Sequence, residues 1–201
     1  TVTGLAGIPP IWARLLQYKW SQKEFPALRY ITNSGGRFPE DQVREYRRRL
    51  PETEIYLMYG LTEAFRSTFL DPAEVDRRPT SIGKAIPNAE ILVLGPEGKL
   101  CGPGEVGELV HRGALVSMGY WKDPEKTRER FRPNPLASEA CQFPEIVVFS
   151  GDYVKRDEDG YLHFVGRRDE MIKTSGFRVS PTEVEEAVCS TKLISEAIAF
   201  G

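Results

Sequence analysis

Ile55-Tyr56-Leu57-Met58-Tyr59-Gly60-Leu61-Thr62-Glu63 is a short apolar run broken by a glycine and closed by a hydroxyl and a carboxylate. The run Ile55 to Met58 reads as a strand, and Gly60 as the break that ends it. Upstream, Pro39 to Leu50 carries Val43, Tyr46 and Leu50 on one face, the spacing of a helix. Before that helix comes a strand candidate, Arg29 to Thr32, then the loop Asn33-Ser34-Gly35-Gly36. Earlier still, Pro10 opens a helix over residues 10 to 20, with Ile11, Leu15, Leu16 and Trp20 as its apolar stripe. Helix, strand, glycine loop, helix, strand is an α/β pattern.

The texture changes near residue 80. Strand candidates at Ile91 to Leu94, Glu108 to Arg112, Ile146 to Phe149, Tyr153 to Arg156 and Tyr161 to Val165 are separated by Gly- and Pro-rich turns. The last two flank Asp157-Glu158-Asp159-Gly160, a hairpin signal. This middle part reads as a small β-barrel or sandwich. One helix interrupts it, with Asp123 as N-cap and Pro124 at its first position. Ser180-Pro181-Thr182-Glu183 then reads as a capping box before the stripe Val184, Ala187, Val188. Strand, helix, strand from Met171 to Phe200 reads as the opening of a separate α+β domain.

Composition narrows the function classes. The 201 residues are 40% hydrophobic and 28% charged, with 18 Gly and 15 Pro, the balance of a folded, turn-rich chain. A formal net charge of -2 supplies no general field for gathering nucleic-acid phosphates. Cys101, Cys141 and Cys189 are far apart and form no C-x-x-C pair, so they read as ordinary thiols in a reducing cytosol. His111 and His163 sit in strand-like runs and read as packed side chains. No apolar run is long enough for a transmembrane segment. Thr1-Val2-Thr3-Gly4 has neither an initiator Met nor a signal pattern, so the chain reads as an internal piece of a longer protein.

Four segments could carry chemistry. In Asn33-Ser34-Gly35-Gly36-Arg37, paired glycines let a flat ligand approach the backbone, although an ordinary strand-to-helix turn has the same letters. In the segment from Tyr59 to Glu63, the ring can stack on a base, Thr62 can donate to a phosphate oxygen, and Glu63 can hold Mg²⁺; a solvated loop is the alternative. Ser150-Gly151-Asp152, after the strand Ile146 to Phe149, puts an Asp where carboxylates accept ribose hydroxyls, or merely in a turn. The fourth is the charge-dense run from Gly166 to Glu185.

Taken in order, Tyr-Gly-Leu-Thr-Glu, Gly-Glu-Leu, Ser-Gly-Asp and Gly-Arg-Arg-Asp-Glu-Met-Ile-Lys-Thr-Ser-Gly resemble the motifs of the adenylate-forming superfamily of AMP-dependent acyl-CoA ligases, luciferases and peptide-synthetase adenylation domains. The segment Leu57 to Thr68 looks closest to acyl-CoA ligases associated with exosortase systems. The resemblance implies an α/β fold. It would comprise the C-terminal part of the large adenylate-forming domain, with an α/β subdomain over 1–84 and a β-barrel-like subdomain over 85–168. The hinge and start of a small α+β C-terminal domain would follow over 169–201.

The resemblance also implies ATP, Mg²⁺ and CoA as cofactors, a carboxylic (fatty) acid as substrate, and a cytoplasmic enzyme. On it, Gly35 and Gly36 line the adenine and acyl pocket, Tyr59 on the Gly60 turn stacks on adenine, and Thr62 contacts phosphate. Glu63 is the Mg²⁺ ligand. Asp152 takes the ribose with Arg167 assisting, Asp169 is the hinge, and Arg178 reaches the phosphates. Ser175 and Gly176 line the pantetheine channel. Three departures stand beside these. No phosphate loop appears in residues 1 to 34. Lys173 and Lys192 are not in the motif of the family's catalytic lysine. Met58 stands where some relatives carry Asn. The expectation is therefore that residues 1 to 201 alone adenylate little or nothing.

Rival readings differ at single features. The acceptor could be a carrier-protein phosphopantetheine instead of CoA. Arg44, Arg47, Arg48 and Arg49 could make a non-catalytic binding module for nucleic acid or acidic lipid, although Glu40, Asp41 and Glu45 beside them blunt the field. A serine hydrolase lacks its Gly-x-Ser-x-Gly elbow here.

Overall fold

The computed structural model describes residues 1–138, 144–174, 177–191, 193–194 and 197–201; of residues 173, 174, 177, 178 and 186 only the backbone is described. The chain forms two compact units. The first holds Thr1–Glu90, Gly113–Met118 and Gly160–His163, and the second holds Ile91–Arg112, Gly119–Asp159 and Phe164–Gly201.

The first unit is built on strands β1 (Gly4–Gly7), β2 (Tyr30–Asn33) and β3 (Glu54–Leu61), paired in parallel with Gly7 opposite Asn33 and Asn33 opposite Leu57. Helices α1 (Pro9–Leu16) and α2 (Glu40–Arg49) make the two crossovers that parallel strands require. β4 (Ala64–Leu70) returns antiparallel to β3, and β5 (Ser81–Ala85) antiparallel to β4.

The helical faces and the strands close on one core: Trp12, Leu28, Ile31, Phe38, Val43, Tyr46, Leu50, Ile55, Leu57, Leu70 and Val75. Trp12 and Tyr46 meet edge to face with centroids 5.5 Å apart, and the Tyr46 hydroxyl donates to the Trp12 carbonyl at 2.8 Å. That bond satisfies the polar end of a fully buried ring. Burial pushes the Tyr46 phenol far above its ordinary range.

The first helix is shorter than its apolar stripe predicts. It stops at Leu16 because side chains take over its last carbonyls. The Trp20 indole donates to the Leu15 carbonyl at 2.7 Å, and Arg49 Nη2 donates to the Leu16 carbonyl at 3.0 Å. Trp20 still packs on the core, but from a loop.

The second unit contains β6 (Ala89–Leu94) but for its first two residues, β7 (Val106–Gly113) but for its last, β8 (Phe131–Pro133), β9 (Ile146–Arg156) and most of β10 (Leu162–Arg167). Hydrogen-bonded neighbours run β10-β9-β7-β6, with β8 antiparallel on β9. Leu92, Leu94, Val110 and Val147 form a buried cluster against which Phe149 packs. Helix α3 (Pro124–Arg130) starts as its sequence predicts, with Asp123 accepting from the Lys126 N–H at 3.0 Å.

Three expectations need correction here. Ile146 to Phe149 and Tyr153 to Arg156 are one eleven-residue strand, not two. The Ser180 side chain does not cap helix α4 (Pro181–Ser190); it is fully buried and donates to the Val165 carbonyl at 2.6 Å. A hydroxyl that reaches a buried carbonyl satisfies an acceptor that water cannot. Finally, β11 (Ile172–Thr174) and β12 (Phe177–Val179) pair antiparallel ahead of α4, but none of the described residues from 193 to 200 is in a strand. A strand exists only where a ladder accepts it, and those residues have none.

Candidate active site

In the first unit, the predicted residues gather at the carboxyl edge of the parallel strands, where α/β sheets bind ligands. Pairing ends at Asn33 and Leu57, so the glycine loop and the last four residues of β3 both lie beyond that edge. Gly35 adopts φ +76, which favours glycine. A Cβ on Gly36 would stand 3.1 Å from Cγ of Pro9. Buried Asn33 closes the loop by donating from Nδ2 to the Gly36 carbonyl at 3.0 Å.

The strand does not break at Gly60, where the sequence places its end. Instead β3 runs on to Leu61, and Thr62-Glu63 is the tip of a hairpin with β4. Tyr59 pairs with Thr68 and Leu61 with Ala64, so Gly60 alone faces Phe65, Arg66 and Ser67. A Cβ on Gly60 would lie 2.2 Å from the backbone nitrogen of Arg66, which itself has φ 49. The glycine is therefore needed for the close approach of a bulged partner strand. The bulge strengthens the local twist and leaves Thr62 exposed at the tip. The Glu63 carbonyl accepts the Ser117 N–H at 2.9 Å, which anchors the tip while the Glu63 side chain stays half-buried.

In the second unit, Ser150-Gly151-Asp152 does not end a strand. Phe149 pairs with Val110 and Tyr153 with Glu108, so three residues of β9 bulge out opposite Leu109. Because the ladder cannot serve the bulge, its peptide groups find other partners. The Ser150 hydroxyl donates to the Leu109 carbonyl at 2.6 Å and accepts from the Asp152 N–H at 3.0 Å. Arg130 Nη1 donates to the Ser150 carbonyl at 2.8 Å. The Gly151 N–H donates to Glu108 Oε1 at 3.0 Å, and the Gly151 carbonyl accepts the Arg168 N–H at 2.8 Å. Gly151 has φ +76, and a Cβ there would strike Arg130 Nη1 at 2.4 Å.

This frame presents the Asp152 carboxylate, with Arg167 Nε 3.4 Å from Oδ1. The structure thus brings Asp152 and Arg167 together. Asp169 follows in an exposed turn. The backbone of Arg178 lies on β12 opposite Lys173, while its side chain, like Ser175 and Gly176, lies outside the described residues.

The parts played by Glu108, Arg130 and Asn33 emerge only from the fold. Gly-Glu-Leu was visible as a motif, but the direction of the Glu108 side chain depends on which β9 residue faces it. Among the described residues no three His, Cys, Asp or Glu are grouped. Glu63 offers a single half-buried carboxylate at the hairpin tip, and Mg²⁺ takes one or two carboxylates and completes its shell with phosphates and water.

The arginine cluster on α2 is spent within the fold. Arg44 pairs with Glu40 at 2.6 Å and Arg47 with Asp76 at 3.1 Å. Arg48 and Arg49 both hold Glu45 at 2.7 Å and keep its carboxyl down at about 2. No helix of the described residues is long and apolar enough to cross a membrane.

Comparison with known proteins agrees with this geometry. The family model described as AMP-binding enzyme matches residues 1–121. The long-chain-fatty-acid–CoA ligase of Salmonella typhimurium strain LT2 is 32% identical over 202 residues, covering 99% of this chain and 33% of the ligase. Surfactin synthase subunit 2 of Bacillus subtilis strain 168 is 36% identical over 180 residues, 87% of this chain and 5% of that protein. Among solved structures, o-succinylbenzoate CoA synthetase from Bacillus subtilis with its acyl-adenylate intermediate matches at TM-score 0.83 and 25% identity, over 100% of this chain and 38% of that one. The same synthetase in complex with ATP and magnesium ion matches at TM-score 0.80 and 25% identity, over 97% and 38%. The chain belongs to the AMP-binding enzyme family of adenylate-forming proteins. It spans about a third of the length of the Salmonella ligase.

Proposed function

We propose that the full-length protein carrying this chain is an AMP-forming acid–thiol ligase acting on a fatty acid and CoA in the cytoplasm. In the first half-reaction a carboxylate oxygen attacks the α-phosphorus of ATP. The bond from that phosphorus to pyrophosphate breaks, giving acyl-AMP. In the second, a thiol sulfur attacks the acyl carbon, the bond to AMP breaks, and the thiol proton leaves to solvent or a base. Carboxylate and phosphate repel each other, so the residues must supply orientation and positive charge.

In this reading Tyr59 stacks on adenine beside the Gly35-Gly36 loop, and the close-packed Gly60 bulge holds its ring in place. Thr62 donates to a phosphate oxygen. Asp152 accepts the ribose hydroxyls while Arg167 faces and orients it. Arg178 offsets phosphate charge. Asp169 is the pivot between half-reactions, and Ser175-Gly176 lines the thiol channel. Glu63 would hold Mg²⁺, which supplies charge neutralisation on the phosphates. The observation that supports the reading most is the Asp152 bulge: a carboxylate on a turn whose peptide groups make four hydrogen bonds, braced by the Ser150 hydroxyl and faced by an arginine.

A second reading, loading of a carrier-protein phosphopantetheine, is favoured by the 36% identity to surfactin synthase subunit 2. The match along 99% of this chain to a CoA ligase supports CoA. The test is ATP–pyrophosphate exchange by the full-length protein with fatty acids of graded length, followed by acyl transfer to CoA or to a holo carrier protein. Exchange that depends on the acid, with thioester formed on CoA, is expected. Absence of exchange with any carboxylic acid overturns the reading, and transfer to the carrier protein alone selects the second.

A further inference from the structure

Glu108 sits on β7 with its side chain only 14% exposed, and each of its two oxygens has a separate task. Oε1 accepts the Gly151 N–H at 3.0 Å, at the apex of the bulge that carries Asp152. Oε2 stands 3.8 Å from Arg168 Nη1, and the Arg168 N–H itself donates to the Gly151 carbonyl. Both peptide groups that flank the Gly151 Cα are therefore held, one by a carboxylate from β7 and the other by the residue that follows β10. Arg167 and Arg168 are consecutive, yet they answer to different carboxylates, Asp152 and Glu108.

We propose that Glu108 is a positioning residue for nucleotide binding: it sets the aim of the Asp152 carboxylate through the Gly151 N–H and does not itself touch the nucleotide. The inference rests on Asp152 being the ribose acceptor. The mechanism is geometric. Gly151 at φ +76 can rotate its flanking peptides at little steric cost, so the bulge has no intrinsic single shape. A charge-assisted hydrogen bond at its apex selects one. Without that acceptor the Gly151 N–H turns toward water, and the carboxylate one residue on turns with it. Glutamine keeps an acceptor oxygen for the N–H and loses only the attraction to Arg168. Aspartate keeps the charge but retracts the acceptor by one methylene.

The test is equilibrium binding of AMP and of 2′,3′-dideoxy-AMP to the full-length protein, as wild type and as E108A, E108D and E108Q, with ATP KM and kcat measured alongside. Wild type is expected to prefer AMP by about tenfold or more, the scale of hydrogen bonds to a charged group. In E108A and E108D that preference collapses toward unity, ATP KM rises with kcat less affected, and affinity for the dideoxy nucleotide is unchanged. E108Q retains the preference to within about twofold, since a neutral acceptor replaces a charged one at the same place. E108D covers the case in which E108A does not fold.

If the wild type shows no preference for the ribose hydroxyls, the assignment of Asp152 fails and Glu108 falls with it. If the wild type discriminates and folded E108A or E108D discriminates equally, the role of Glu108 alone is overturned. Equal loss of affinity for both nucleotides in those variants means a merely structural role, and overturns it as well.

Discussion

Arg167 Nε lies 3.4 Å from Asp152 Oδ1, a contact between a half-exposed guanidinium and a carboxylate only 14% exposed. The sheltered carboxylate is held in place by the bulge beneath it. If it binds the ribose, Asp152→Asn keeps the shape and loses the charge. ATP KM should then rise by about 10- to 100-fold, the range for a lost charged hydrogen bond or two, while kcat at saturating ATP changes less. Steady-state kinetics with full-length protein checks this, and an unchanged KM refutes the assignment.

Position 60 tolerates no side chain. A Cβ would sit 2.2 Å from the Arg66 backbone nitrogen, and backbone cannot swing aside as a flexible side chain can. Gly60→Ala should cost at least about 1–3 kcal/mol, the usual scale for forced overpacking. It should also open the hairpin that carries Tyr59 and Glu63. Urea unfolding measures the first effect, and weaker nucleotide binding than in a Met58→Ala control measures the second.

The arginines of α2 look alike in sequence and are not alike in the fold. Arg49 is 17% exposed on its side chain and donates to Glu45, to Tyr18 at 2.8 Å and to Leu16 at 3.0 Å. Arg44 is 61% exposed and pairs with Glu40 one turn away. Arg49→Ala should destabilise by about 2 kcal/mol, because two carbonyls lose their donor. Arg44→Ala should cost about 0.5 kcal/mol or less. Thermal or urea melts of the two variants decide, and equal losses would contradict the difference in burial.

His111 gives the protein an acid-sensitive core. It is 1% exposed on β7, and burial lowers its pKa from 6.5 to about 4. The unfolded chain therefore binds a proton more readily than the folded one between those values. Stability from this site is complete above pH 6.5, falls as pH drops through that value, and is lost below about 4. The loss amounts to about 3 kcal/mol by linkage. Unfolding free energy measured from pH 7.5 to 4 should show it, and His111→Leu should flatten the curve.

Much of this architecture was readable from residue order. Strands β2 and β3 and the helix between them followed from residue order, whereas β1 (Gly4–Gly7) did not, and Asp123 with Pro124 marked a helix start that the structure keeps. What escaped was decided by partners distant in sequence. Nothing local in Trp20 says that its indole caps the Leu15 carbonyl instead of extending the helix. Ser180 has the letters of a cap, but Val165 offered a buried carbonyl fifteen residues earlier. Gly60 and Gly151 both read as breaks. Each instead sits at a bulge inside a continuing strand: the extra residues lie on the opposing strand β4 at Gly60 and on β9 itself at Gly151. The candidate site shows the same division. Asp152 and Tyr59 are visible as motif residues, whereas Glu108 and Arg130 matter only through a peptide group that the sequence does not display.

The paired contacts of Arg167 with Asp152 and of Arg168 with Glu108 have one more consequence. Neighbouring residues near a strand end point to different sides, so the two contacts work like the teeth of a key. Sliding β10 by a single position would place each guanidinium on the wrong carboxylate side at once and abolish both pairs together. Misaligned pairings of this strand thus receive no partial credit, and this corner of the fold is assembled all or none.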